Sequence, residues 1–165
     1  MAAAGVASNR MCALVIRIDD PGADDVRALL ERHLAFAHEH TPPEDVHALE
    51  PDDRLRPAMT VFSARRDHHL LAIGALKQLD ETHGELKSMH TVEAARGQGI
   101  GRAMVDHLLG VARHRGYRQI SLETGATEAF GPARSLYRSC GFAPCGPFGD
   151  YPESPSSAFM TLVLD

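Results

Sequence analysis

The chain has 165 residues, 17 Lys+Arg against 22 Asp+Glu for a formal net charge of -5, and 44% apolar positions. A chain of this length buries roughly two thirds of its unfolded surface, so neither a small stapled scaffold nor a mainly disordered chain fits. No stretch reaches the roughly 20 apolar residues of a membrane span, Met1 to Val6 lacks the basic region and apolar core of a signal peptide, and the acidic balance argues against a nucleic-acid partner.

In chain order, residues 12–18 (CALVIRI) form a short strand that ends in the turn Asp19-Asp20-Pro21-Gly22. From Ala23, Val26, Leu29, Leu30, Leu34 and Ala37 recur at three and four positions, one apolar stripe of a helix that must stop before Pro42-Pro43. Pro43, Glu44 and Asp45 suit the first turn of a short helix, and the following EPDDRLRP reads as loop. Residues 58–64, 69–79 and 84–92 are three strands joined by the polar turns RRDH and DETH, an antiparallel meander.

The pattern then changes. Ile100, Met104, Leu108 and Val111/Ala112 share one face of a helix that ends at Gly116, QISLE (119–123) is a strand, and 128–139 holds a helix with Ala129, Ala133, Leu136 and Tyr137 inward, closed by Gly141. This β-α-β order favours local parallel pairing. A proline- and glycine-rich passage from Pro144 to Pro155 precedes a last strand, SAFMTLVL. With no repeat and no linker, 1–165 is a single mixed α/β domain, with 1–10 expected to be disordered. Cys12, Cys140 and Cys145 make no CxxC pair and read as reduced thiols, consistent with a cytoplasmic location.

The segment ARGQGIGRAMVDHLL places Arg96, Gly97, Gly99 and Gly101 between a strand and an amphipathic helix. Glycines let backbone N–H groups approach a ligand, and a helix N-terminus offers unpaired donors and a field suited to phosphate oxygens. Neither the GK[ST] ending of a P-loop nor GxGxxG in a first β-α unit is present.

RGxGxG after a strand, with ARSLYRSCGF later, resembles the GNAT superfamily of acetyl-coenzyme A dependent N-acetyltransferases, and the likeness runs over nearly the whole chain. TPPEDVHAL, GALKQLD, GELKSM, SLETG and GPFGDYPESPSSAFMTLVL resemble in particular its YsnE-like bacterial branch, whose substrates are poorly assigned. The resemblance implies a mixed, mostly antiparallel sheet of about six to seven strands flanked by about four helices, splayed between the strands at 85–91 and 119–123. It also implies acetyl-coenzyme A as co-substrate, with no metal. The pyrophosphate would lie on Arg96, Gly97, Gln98, Gly99, Ile100, Gly101 and Arg102, and the pantetheine arm beside the preceding strand, including Met89, His90 and Thr91. Many members carry asparagine where this chain has Phe130, three residues before Ala133, so one hydrogen bond to that arm is missing or supplied elsewhere; both positions remain on the coenzyme side.

Acyl transfer to an amine needs a proton acceptor for the amine and a donor for the departing thiolate. By resemblance Tyr137 is the donor, since the tyrosine of the LY pair points at the coenzyme sulfur. Glu123, which matches the glutamate of the family's ribosomal-protein acetyltransferases apart from two extra residues before the next helix, is the first candidate base, followed by Glu85 and His90. A backbone amide near Met89 or His90 would serve the thioester carbonyl. His40, Thr41 and His47 are expected at the border of the acceptor pocket, with Asp150, Tyr151 and Glu153 nearby. Cys140 reads as filler, and His33, His38, His40 and His47 have no metal-ligand spacing. The expected activity is transfer of acetyl to an amine of a small molecule or an exposed amino group by direct attack in a ternary complex. The alternative is an acyl-coenzyme A binding or sensing module without transfer. A homodimer is expected because the sheet leaves exposed edges.

Overall fold

The computed structural model describes residues 12–48 and 57–165; the expected disorder of 1–10 and most of the EPDDRLRP loop lie outside them. Seven strands form one sheet in the order β1-β2-β3-β4-β5-β7-β6. They are β1 (Val15–Ile18), β2 (Met59–Arg66), β3 (His69–Gln78), β4 (His83–Thr91), β5 (Gln119–Gly125), β6 (Ala143–Cys145) and β7 (Ser157–Val163). Among the described residues the helices are α1 (Asp24–His40), α2 (Ile100–His114) and α3 (Gly131–Ser139), with short 3-10 turns at Pro43–Asp45, Glu93–Ala95 and Glu128–Phe130. The expected meander is β2-β3-β4, and β4-β5 is the parallel pair. β6 was not anticipated: three residues with a central Pro144 carry little strand signal, and Pro is tolerated there because β6 is an edge.

Strand alternation sorts the core into two layers. Val61, Ile73 and Ala75 meet Val26, Leu29 and Leu30 of α1 on one face. Phe62, Ala64, Ala72 and Leu76 meet Met104, Val105 and Leu108 of α2 on the other. The buried Val, Leu, Ile, Phe and Met side chains among them each contribute about 1.5–3 kcal/mol relative to exposure, the alanines less. α1 stops as its sequence requires, because Thr41 before Pro42 is forced to extended backbone (φ -139, ψ 138). Its first turn is tied to the sheet by Arg65, which donates to Asp25 at 2.6 Å and to Asp19 at 3.1 Å.

Two irregularities build the site. β4 and β5 pair from His83↔Gln119 only as far as Leu86↔Leu122, although both strands continue; beyond that point they part. One step further, the β3-β4 register shifts so that Ile73 faces His90 while Ala75 faces Lys87, leaving Ser88 and Met89 opposite Gly74 alone. In this bulge Ser88 takes a left-handed φ of 53. A regular strand would send residues 87 and 90 to opposite faces. The extra residue instead returns both to the α1 face and turns Met89 to the α2 face, where a Cβ on Gly74 would stand 2.7 Å from its sulfur.

Candidate active site

The parted strands open a cleft of about 470 Å³ between α1, α2 and α3. At one end is the segment that follows β4. Gly97 and Gly99 have φ of 74 and 77, a conformation glycine adopts without strain, and a Cβ on either would meet nothing within 4 Å, so the backbone presents an open concave surface. Gly99 directly precedes α2, whose first N–H groups have no partner within the helix. Arg96, Gly97, Gly99, Ile100, Gly101 and Arg102 all line the cleft. Gln98 does not: its amide donates to the Ala94 carbonyl at 3.2 Å and its oxygen accepts from Arg66, which folds the side chain away from the cleft. The cationic rim, open backbone and helix terminus fit a pyrophosphate.

Met89, His90 and Thr91 of β4 line the middle of the cleft, as do Phe130 and Ala133 of the opposite wall. Ala129, Ala133 and Leu136, expected to point into the core, are only half-buried and face this space; of the α3 residues Tyr137 alone is buried. Phe130 stacks edge-on against Phe36 of α1 at 5.2 Å and fills the space beside Gly125, where a Cβ would come within 2.1 Å of its ring.

Tyr137 and Glu123 both reach the cleft. Burial, with Cys140 and Glu123 nearby, pushes the Tyr137 phenol well above its ordinary value, so it stays protonated. Burial raises the Glu123 carboxyl as well, opposed by Ser157, His47 and Lys87. His90 behaves otherwise than an isolated imidazole. Burial, then the charges of Arg96 and Arg32, lower it to about 4; it is neutral at pH 7, a weak base, and shares a 3.4 Å Nδ1–Nδ1 hydrogen bond with His33.

Glu85 is not in the cleft. It lies on the same face as Lys87, 1% exposed, and accepts from Lys87 Nζ at 3.2 Å and from the Tyr151 hydroxyl. Lys87 also donates to the Tyr151 oxygen at 2.5 Å. Tyr151 was expected to touch an acceptor; instead its hydroxyl is directed into the sheet, and its ring packs on Phe148, Phe159 and His47. The 144–155 passage thus covers the polar face of β4, β5 and β7 that α1 does not reach. Asp150 and Glu153 remain exposed.

A second, smaller cavity of about 70 Å³ continues past Glu123 towards Thr41, Asp45, Val46 and His47. Lys87, Ser88, Glu123 and Phe130 line both spaces. The sequence pointed to His40, Thr41 and His47 here, of which His40 lines neither space and packs on Phe36 at 4.4 Å, but not to Lys87 or Ser88, which only the parting of the strands and the bulge bring to the cleft. Among the described residues no group of three or more His, Cys, Asp or Glu could hold a metal, and no helix is long and apolar enough to cross a membrane. The Cys140 thiol is raised by burial and is a poor nucleophile.

The sheet thus parts between two parallel strands, with a glycine-lined helix terminus at one end of the gap and a protonated phenol and a carboxylate farther along. The chain belongs to the GNAT acetyltransferase family, whose sequence profile matches residues 24–142. It is 43% identical to the uncharacterized N-acetyltransferase YsnE of Bacillus subtilis over 90% of this chain and 99% of that one. It is 34% identical to an IAA acetyltransferase of Azospirillum brasilense over 92% and 98%. Among solved structures, a GNAT family acetyltransferase from Elizabethkingia anophelis with acetyl-CoA bound shares the fold at a TM-score of 0.70 and 17% identity, covering 92% of this chain and 98% of that one.

Proposed function

We propose that the protein is an acetyl-coenzyme A dependent N-acetyltransferase that modifies an amine of a small molecule or an exposed amino group by direct attack in a ternary complex. The observation that carries this reading is the end of β4-β5 pairing at Leu86↔Leu122, which opens a cleft with the glycine cradle at one end and Tyr137 and Glu123 farther along. The coenzyme, when bound, supplies an activated acetyl thioester. Backbone amides of the 96–101 segment would receive its pyrophosphate, and a backbone amide near Met89 or His90 would serve its carbonyl oxygen.

Glu123 takes one proton from the acceptor ammonium, directly or through water, and frees the nitrogen lone pair. The C–N bond forms as the C–S bond breaks; Tyr137 protonates the leaving sulfur, and the second amine proton passes to solvent, which restores the phenol. One proton is released per turnover. Glu85 belongs to the network with Lys87 and Tyr151 that supports this site from behind. The IAA acetyltransferase name of one relative agrees with transfer to a small molecule. We assign the reaction to the cytoplasm, where Cys12, Cys140 and Cys145, all free thiols, stay reduced.

Calorimetry with coenzyme A and a thiol-release assay with acetyl-coenzyme A test the reading together. Saturable binding with thiol release only when an amine is present supports it. Tight binding without transfer to any amine indicates a sensing module, and absence of binding overturns both.

A further inference from the structure

The transfer step uses Glu123 and gives the far side of the small cavity no task. Glu123 lines both the cleft and this cavity, whereas Asp45 lines the cavity alone, so Asp45 lies on the side away from the coenzyme. Among the described residues the Asp45 carboxylate has no ion-pair partner. Lys87 borders the same space but is already engaged: its ammonium donates to Glu85 at 3.2 Å, to the Tyr151 oxygen at 2.5 Å and to the His47 carbonyl at 3.5 Å. Its charge is matched by Glu85, which is 1% exposed. The charge left uncompensated around the cavity is therefore that of Glu123 and Asp45.

The rest of the wall is a hydroxyl and apolar surface. Ser88 is 8% exposed, holds a left-handed φ of 53, and its Oγ has no hydrogen-bond partner among the described residues. An unsatisfied polar atom at a strained position signals a ligand rather than packing. Ala37, Val46, Leu86 and Phe130 supply apolar surface. Two carboxylates, an unpaired hydroxyl and an apolar wall suit an alkyl chain with a cation at each end. An amine carrying a carboxylate would meet Asp45 as a like charge, and a monoamine would leave Asp45 unmatched. The cavity of about 70 Å³ has room for roughly five to seven water-sized groups, enough for a short chain and too few for a peptide.

Resting on the acetyltransferase reading above, we propose that the acceptor is a short alkyl diamine, one nitrogen directed at Glu123 and the other held as an ammonium by Asp45. Ser88, which lines both spaces as Glu123 does, accepts from the reacting amine. That nitrogen gives one proton to Glu123 and bonds to the acetyl carbon as the C–S bond breaks. The products are the monoacetylated diamine and the coenzyme A thiol, and the ammonium at Asp45 stays protonated and unreacted.

The test measures acetyl-coenzyme A dependent thiol release with 1,3-diaminopropane and 1,4-diaminobutane against propylamine, butylamine and 4-aminobutanoate, in the wild type and in Asp45→Asn. Asparagine keeps the size of the side chain and removes its charge, and calorimetric binding of coenzyme A reports that the variant is folded. The expected result is a kcat/KM at least about tenfold higher for a diamine than for the monoamine of equal length, a ratio that falls towards unity in Asp45→Asn through a raised KM for the diamine. Saturation-transfer NMR of the same diamines with the coenzyme A complex reads binding without turnover. The proposal is overturned if the monoamines or 4-aminobutanoate are acetylated as well as the diamines, if the ratio is unchanged in Asp45→Asn, or if no diamine is bound or acetylated. Coenzyme binding with transfer to other amines alone overturns the diamine assignment and leaves the transferase reading standing; loss of coenzyme binding in the wild type removes both.

Discussion

Lys87 and Glu123 each follow directly on Leu86 and Leu122, the last paired positions between β4 and β5, so a cation and a carboxylate stand where the sheet opens. Lys87 lowers the Glu123 carboxyl against the burial that raises it, while Glu85 and Tyr151 anchor the lysine from behind. Burial sets the direction of the shift, and Ser157 and His47 oppose it ahead of Lys87.

Because burial raises Glu123, its deprotonated form is lost as pH falls through a value above the ordinary glutamate range near 4.3. The kcat/KM profile of the wild type should show that acidic limb. Glu123→Gln should abolish it and lower kcat about 10²-fold, measured by thiol release across pH 5 to 9.

Tyr137→Phe keeps the buried ring and its contact with Phe142, centroids 5.9 Å apart, but removes the proton donor. A fall in kcat of about 10²-fold is expected with coenzyme A affinity unchanged by calorimetry. Unaltered turnover would show that another group protonates the sulfur.

His90 is held at about 4 against an ordinary 6.5. A histidine lowered in the folded state contributes stability that is fully present above pH 6.5 and is lost as pH falls through 6.5 towards 4. Discounted for its partial exposure, the contribution is of order 1–2 kcal/mol. Urea unfolding at pH 7 and pH 4.5 should show a smaller loss in His90→Gln than in the wild type.

Gly125 leaves no room for a side chain beside Phe130, since a Cβ would approach its ring to 2.1 Å. Gly125→Ala should destabilise the protein by about 1–3 kcal/mol through forced displacement of a packed ring. It should also weaken coenzyme binding, because Phe130 forms a wall of the cleft; urea unfolding and calorimetry read the two effects separately.

The elements were legible because their signals are local: apolar periodicity in α1 and α2, proline at the end of α1, and the Arg96 to Gly101 segment at the start of α2. What escaped were residues whose position depends on partners far along the chain. Glu85 looked like a second base, yet Tyr151, 66 residues away, accounts for its removal from the cleft. His90 looked poised for proton transfer near neutrality until Arg32, Arg96 and burial were brought around it. Ser88 carried no signal, since the bulge that brings it to the cleft wall forms at a serine rather than at a glycine.

By itself the sequence determined a mixed α/β fold, a parallel β-α-β step and a glycine-rich turn ahead of α2, all consequences of residues within a few positions of one another. Tertiary structure alone decided which carboxylate faces the cleft, which polar atoms are left without partners, and how far each proton affinity moves. Register, burial and electrostatic neighbours are properties of strands paired across the sheet, and no short window of sequence contains them.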